Sequence, residues 1–273
     1  MDFIEILKAI LFGIVEGITE WLPISSTGHM IILDELVKLN VSDAFREMFL
    51  VVIQLGAILA VVVLYFKKLW PFSTKEKFFI KKDTFGMWFK ILAACIPAAI
   101  VGVFFDDKIN ELFYNYQTVA AMLIIFGVLF IVIENYNKGR KPVINSIPEI
   151  TWKAAIGVGL FQLIAAVFPG TSRSGATILG GILLGMSRTT AAEFTFFLAV
   201  PVMAGASLLK LVKFGLAFSA SEAVILIVGM VVAFVVSIIV IKFLLNYIRR
   251  NDFKAFGWYR IVLGVLVILF FSL

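Results

Sequence analysis

Gly13-Ile-Val-Glu-Gly-Ile-Thr-Glu-Trp-Leu-Pro-Ile-Ser-Ser-Thr-Gly-His29 decides how this chain is read. Glu16 and Glu20 are four residues apart, so on a helix they share one face. Like charges at that spacing repel, and burying even one in lipid is costly. A cation, a basic residue or water in a cavity must offset them. Pro23 then ends the helix, and Ser25-Ser26-Thr27-Gly28 supplies hydroxyls and free backbone amides directly after it. His29, the one histidine of the chain, closes the stretch. It reads as a reactive site on a helix that enters apolar surroundings and stops.

The surroundings are apolar throughout. Of 273 residues 62% are hydrophobic and 15% charged, and the mean hydropathy is +1.05. Soluble domains are typically about 45–50% apolar and about 25% charged. Several uncharged runs approach the roughly 20 residues that cross a bilayer. The chain is therefore expected to be an all-α polytopic membrane protein forming a single membrane domain, 1–273. Its apolar runs are continuous rather than alternating, which argues against a β-barrel. The lone Cys95 excludes an internal disulfide, a thiolate cluster and a CxxC centre, and reads as a buried inert thiol. The net charge of +6 does not point to nucleic acid, because Lys and Arg concentrate between apolar runs as topology requires. Asp2 and Glu5 precede the first apolar run without an A-x-A site, so no cleavable signal peptide is expected.

Taken in order, residues 3–22 and 28–39 form two short apolar segments around the Pro23 break. Neither is a full span, and together they suggest a helix–loop–helix that dips into the bilayer and returns. Such broken backbone is tolerated at depth only beside protein or a water-filled cavity. Spans are expected at about 45–66, 86–104 and 117–134. The pattern then recurs: a short helix at 152–168, Pro169, the polar loop 170–177, another short helix, and spans at about 190–209, 221–245 and 255–272. At an offset of 146, Gly13 meets Gly159, Glu16 meets Gln162, Pro23 meets Pro169, Ser26 meets Ser172 and Glu47 meets Glu193. Each half (about 1–140 and 147–273) thus reads as one re-entrant hairpin plus three spans. Three is odd, so the second half enters from the opposite side, an inverted repeat with its site near the midplane. Lys-rich loops at 67–85 (Lys67, Lys68, Lys75, Lys77, Lys81, Lys82), 135–150 and 246–254 should be cytoplasmic. Both termini then lie outside, and the first re-entrant segment enters from the outer face.

The second loop complements the first. Arg173 is the only charged residue between Lys153 and Arg188, and it sits among small residues and hydroxyls. A guanidinium fork in that setting suits a phosphate, and amides at the start of the following helix would add to the anion site. Arg173 could equally pair with Glu16 or Glu20, and the two roles can alternate between empty and occupied site. The acidic pair could hold a hard divalent cation, Mg²⁺ or Ca²⁺. Alternatively one of them serves as a general base, or both line a hydrated vestibule. Ser25, Ser26 and Thr27 are either turn formers or nucleophile candidates, and His29 could protonate a leaving oxygen, donate to phosphate, or simply pack. Gln54 and Glu193, inside spans, could face a central cavity. There is no Walker A sequence and no GxGxxG, a two-histidine phosphatase is excluded, and so is a heavy-metal site built on His and Cys.

At these residues the sequence resembles the undecaprenyl-diphosphate phosphatase family, also called bacitracin resistance proteins. The family's E/Q-x-x-x-E motif is matched by Glu16-Gly-Ile-Thr-Glu20, and the block after it by Leu22-Pro-Ile-Ser-Ser-Thr-Gly-His29. P-G-x-S-R-S-x-x-T is matched in full by Pro169-Gly-Thr-Ser-Arg-Ser-Gly-Ala-Thr177. Val51-Val-Ile-Gln-Leu-Gly56 and Glu193-Phe-Thr-Phe-Phe-Leu-Ala-Val-Pro201 are similar as well. The resemblance covers essentially the whole chain.

It implies an integral membrane phosphatase, a hydrolase of a phosphoric anhydride, converting undecaprenyl diphosphate to undecaprenyl phosphate and inorganic phosphate. That reaction recycles the lipid carrier of peptidoglycan synthesis and confers bacitracin resistance. It also implies a divalent cation, a bacterial plasma-membrane location and an active site open to the extracytoplasmic side. On this reading Glu16 and Glu20 hold the metal, and Glu20 is the base. Ser26 or a water attacks, His29 is the acid, and Arg173 clamps phosphate. Ser25, Thr27, Gly28, Ser172, Ser174, Thr177 and Gln54 line the phosphate subsite. The partners are the polyprenyl diphosphate lipid and the bilayer, and a homodimer is compatible with the sequence. The rival reading is a transporter or flippase of undecaprenyl phosphate or a related anionic lipid, because inverted repeats with broken helices are a transporter architecture.

Overall fold

The computed structural model describes residues 3–74, 79–215 and 218–272. Asp2, Lys75 and Lys77, used above to read the N-terminus and topology, lie outside the described residues. Among those residues the chain is helical and has no β-strand. Six helical stretches are long and apolar enough to cross a membrane: 43–64, 82–104, 116–136, 188–214, 220–248 and 254–272. These are the six spans expected from the apolar runs.

The two segments around the proline breaks stop short, as Pro23 and Pro169 require. α1 (Phe3–Thr19) runs into a turn that contains Glu20 and Pro23, and α2 (Ser26–Leu36) restarts the chain. The second such segment is α9 (Trp152–Val167), the Pro169 loop and α10 (Arg173–Leu183). In both, a serine with positive φ caps the returning helix. Ser25 (φ 74°, ψ 102°) accepts from the Gly28 amide, and Ser172 (φ 69°, ψ 115°) from the Gly175 amide. The counterpart of Ser172 as a cap is therefore Ser25, not the Ser26 paired with it at an offset of 146. The second loop has one residue more between its proline and its cap. Gly170 absorbs that residue at φ 90°, where a Cβ would lie 2.4 Å from the Val119 carbonyl oxygen.

The first span is built from α3 (Asp43–Val52) and α4 (Gln54–Leu64), interrupted at Ile53. A four-residue turn of helix, α5 (Phe66–Leu69), follows. α6 (Lys82–Phe104) and α8 (Tyr116–Tyr136) are the next spans, joined by the exposed α7 (Asp106–Phe113), a helix not foreseen in the sequence. α11 (Arg188–Phe214), α12 (Ala220–Ile248) and α13 (Lys254–Ser272) complete the chain. The most extensive helix pairs are α8 with α13, α1 with α12 and α6 with α9.

In lipid, helices are held by close packing and polar contacts rather than by a hydrophobic drive between them. Gly56 shows the closeness: a Cβ there would stand 2.0 Å from the Met230 carbonyl oxygen, so α4 and α12 touch backbone to backbone. The main buried apolar cluster draws on both halves, with Trp21, Phe126 and Phe130 beside Phe194, Phe196, Phe197 and Phe253. Trp21 meets Phe196 edge to face at 5.3 Å. One buried polar knot ties α8 to α11 and to the start of α13. Glu134, 2% exposed, accepts from Arg188 Nε at 2.9 Å and from the Phe253 amide at 3.0 Å.

Candidate active site

The two broken segments meet in the interior. Their returning helices begin with Ser26 and Arg173, and both of these first residues grip Glu20. Ser26 Oγ donates to Glu20 Oε2 at 2.9 Å, and Arg173 Nη2 donates to Glu20 Oε1 at 2.7 Å. Glu20 sits in the turn after α1, freed from the helical repeat, so it can reach both helix starts. The ion pair is nearly sealed, with the Arg173 side chain 13% exposed and that of Glu20 8%. Of the two acidic partners proposed for Arg173, the structure selects Glu20. Arg173 Nη1 also donates to the Thr195 carbonyl at 3.2 Å, which aims the guanidinium away from its own helix.

Glu16 lies one turn earlier on α1 and is buried, with Oε1 unpartnered. Gln162, its counterpart on α9, is equally buried with both amide atoms unpartnered. Arg173 Nε and Thr171 Oγ1 are unpartnered too. Buried polar groups are normally paired, so the unfilled bonding capacity of Glu16 and of Arg173, the partner of Glu20, marks a place built to receive something polar. Two helix N-termini bring free amides and partial positive charge to the same region, an arrangement suited to anions.

A divalent cation fits these donors in part. No three His, Cys, Asp or Glu side chains among the described residues form an all-protein cage. The free Glu16 oxygen and the Glu20 carboxylate are hard donors of the kind that hold Mg²⁺ together with waters and substrate phosphates.

The other sequence candidates divide. Ser25 and Ser172 are the caps, and Ser174 Oγ lies 3.1 Å from Ser172 Oγ and donates to the Leu22 carbonyl at 3.4 Å. The Thr177 hydroxyl donates to the Arg173 carbonyl at 2.9 Å and accepts from Thr195 Oγ1 at 2.8 Å, bracing the first turn of α10. Thr27 lies half-buried and Gly28 buried in the first turn of α2. Gln54 is half-buried at the α3–α4 break, outside this hydrogen-bonded cluster. Glu193 pairs with Lys68 at 2.9 Å and takes no part in it.

His29 is held from two sides. Its Nδ1 lies 2.8 Å from the Ser25 carbonyl and its Nε2 2.7 Å from the Tyr259 hydroxyl, with the two rings stacked. A carbonyl only accepts, so Nδ1 carries a proton, and in the neutral ring Tyr259 donates to Nε2. Sequence reasoning missed Tyr259 and its neighbour Arg260. The available signal was an arginine inside the apolar run 255–272.

The fold and the site together define a class: a multi-pass helical membrane protein in which two broken helical segments assemble a buried acid–serine–arginine cluster. The chain belongs to the bacitracin resistance protein BacA family, whose profile matches residues 9–266. It is 68% identical over 272 residues to an undecaprenyl-diphosphatase of Desulfitobacterium hafniense, covering 100% of this chain and 98% of that one. Undecaprenyl-diphosphatase 1 of Clostridium acetobutylicum is 67% identical, with 99% of each chain covered. An undecaprenyl-diphosphatase of Enterococcus faecalis is 59% identical, with 98% of each covered.

Proposed function

We propose that this chain is an integral membrane phosphatase that hydrolyses undecaprenyl diphosphate to undecaprenyl phosphate and inorganic phosphate. It would thereby recycle the lipid carrier of peptidoglycan synthesis and confer bacitracin resistance. The observation that carries the reading is Glu20 held between Ser26 and Arg173 at two converging helix starts. The names of its relatives supply the substrate. The isoprenoid tail lies along the spans in lipid, and the diphosphate enters the polar centre from the extracytoplasmic side, an orientation supported by the basic loops. The odd number of spans per half and the matched serine caps support an inverted repeat.

The diphosphate draws the Arg173 fork from Glu20 onto its own oxygens, since a phosphate offers the same bidentate partner with more charge. The amides of α2 and α10 hold the remaining oxygens. Ser26 Oγ forms the new bond to the terminal phosphorus and passes its proton to Glu20. The bond from that phosphorus to the bridging oxygen breaks, and undecaprenyl phosphate leaves, taking a proton from Nε2 of His29 in its imidazolium form. Water then attacks the phosphoserine and gives a proton back to His29; the Ser26 Oγ–phosphorus bond breaks, Oγ takes its proton back from Glu20, and inorganic phosphate leaves. If water attacks directly, Glu20 takes its proton in the same place. A divalent cation on Glu16 and Glu20 would neutralise the charge of the diphosphate. Positioning and charge stabilisation provide most of the rate enhancement.

Phosphate release from undecaprenyl diphosphate by purified protein in detergent tests the reading. Turnover is expected in the wild type, and its loss in Ser26→Ala supports the serine over water. A protein that binds the lipid without releasing phosphate, but moves undecaprenyl phosphate between vesicle leaflets, is a transporter instead.

A further inference from the structure

Among the described residues, Arg260 is the most deeply buried charge that the mechanism above leaves unused. It is 0% exposed, on a helix that otherwise packs apolar residues against α8. Among the described residues no carboxylate pairs with it. Its partners are main-chain carbonyls: Nη1 donates to Pro23 at 3.2 Å, and Nη2 to Thr171 at 2.8 Å, Gly170 at 2.9 Å and Met122 at 3.4 Å. Pro23 lies two residues before the cap of α2. Gly170 and Thr171 lie two and one before the cap of α10. One guanidinium therefore bridges corresponding points of both loops. Gly175, in the first turn of α10, leaves room for it, since a Cβ there would stand 3.1 Å from Nη1.

A buried charge without a counter-ion is costly in a membrane protein. An apolar side chain would join α13 to α8 more cheaply. What only a planar fork with several donors can do is hold two separate loops by their carbonyls at one spacing. The neighbouring Tyr259 extends the same contact, reaching His29 on the first turn of α2.

We propose that Arg260 is a positioning residue for hydrolysis. By fixing the two loops against each other, it keeps Ser26 and Arg173, the first residues of α2 and α10, in register on a single phosphate. Its positive charge stands behind both helix starts and adds to their attraction for an anion. The proposal rests on the phosphatase reading given above.

The test uses the full chain in detergent as wild type, Arg260→Lys and Arg260→Met. Monodisperse elution and Tm confirm folding, and kcat and KM for undecaprenyl diphosphate are measured separately. In a Cys95→Ala background, spin labels replace Leu36 and Leu183 at the far ends of α2 and α10, and the inter-label distance is recorded without substrate. The expected result for Arg260→Lys is a broadened distance distribution and a kcat lower by about 10²-fold, the scale of a roughly 1 Å misplacement. KM should change by less than about threefold, since the lipid tail is untouched. Arg260→Met should broaden the distances further, and added guanidinium should restore part of kcat in that variant.

Wild-type kcat in Arg260→Lys would overturn the proposal. So would a lowered kcat with an unchanged distance distribution, or a loss confined to KM. If neither variant folds, Arg260 is a folding residue and the proposal fails. If the wild type releases no phosphate, the phosphatase reading fails, while the distance distributions still decide whether Arg260 spaces the loops.

Discussion

Glu20 and Arg173, 153 residues apart in sequence, meet at 2.7 Å in a nearly sealed pair. Neither is on a regular part of its segment: Glu20 lies in the turn that follows α1, and Arg173 is the first residue of α10. The pair joins the two halves at the point where both chains break. Removing one member of a buried pair leaves an uncompensated charge, at roughly 3–5 kcal/mol. Arg173→Met should therefore lower Tm markedly, and Glu20→Gln combined with Arg173→Met should recover much of it. A thermal-shift double-mutant cycle in detergent checks this, with additivity of the two single changes as the contrary result.

Adjacent serines have separate duties. Ser25→Ala removes a helix cap and should reduce stability by about 0.5–2 kcal/mol while leaving measurable turnover. Its positive φ remains strained in the alanine variant. Ser26→Ala touches no cap but takes a hydrogen bond from the buried Glu20 carboxylate, so it should cost about 1–3 kcal/mol of stability while abolishing turnover. Paired Tm and phosphate-release measurements separate the two.

Chelation should stop phosphate release, and added Mg²⁺ or Ca²⁺ should restore it. Glu16→Gln keeps the shape of the side chain but loses the free anionic oxygen, so it should need a higher cation concentration for half-maximal activity. A metal titration of both proteins is the measurement, and identical titration curves would count against Glu16.

Tyr259→Phe deletes only the hydroxyl that faces His29 Nε2. A hydrogen bond of this kind contributes about 0.5–1.5 kcal/mol net, so kcat should fall by no more than about tenfold with Tm nearly unchanged. A fall as deep as that of His29→Ala would make the hydroxyl itself part of the chemistry.

Away from the site, Glu134 accepts from Arg188 and from the Phe253 amide while almost fully buried. Glu134→Ala strands the buried Phe253 amide, while the partly exposed Arg188 can turn to water, and should destabilise the protein by about 1–3 kcal/mol, with turnover per folded molecule preserved. Tm and active-fraction measurements on detergent-purified protein test this.

The spans were legible because each is a long uncharged run, and the breaks because proline cannot continue a helix. The carboxylate pair and Arg173 stood out because charges in apolar sequence demand partners. What the residues could not reveal were the choices made by a single position. Ser25, not Ser26, is the cap matched to Ser172, because the second loop carries one extra residue that Gly170 accommodates. The interruption at Ile53 has no proline or glycine to mark it. Arg260 stands inside the apolar run 255–272, and its partners are backbone carbonyls from loops some 90 and 237 residues away, which no local pattern encodes. Thr177 sits in a motif with the phosphate candidates, yet its hydroxyl braces α10.

The central claim is that the Glu20–Arg173 cluster hydrolyses a lipid diphosphate. The most direct measurement is inorganic phosphate released per molecule of undecaprenyl diphosphate, by wild type and by folded Arg173→Ala. One phosphate per lipid from the wild type, and a rate lower by at least about 10²-fold in the variant, is the predicted result. Full-rate release by a folded Arg173→Ala protein would contradict it.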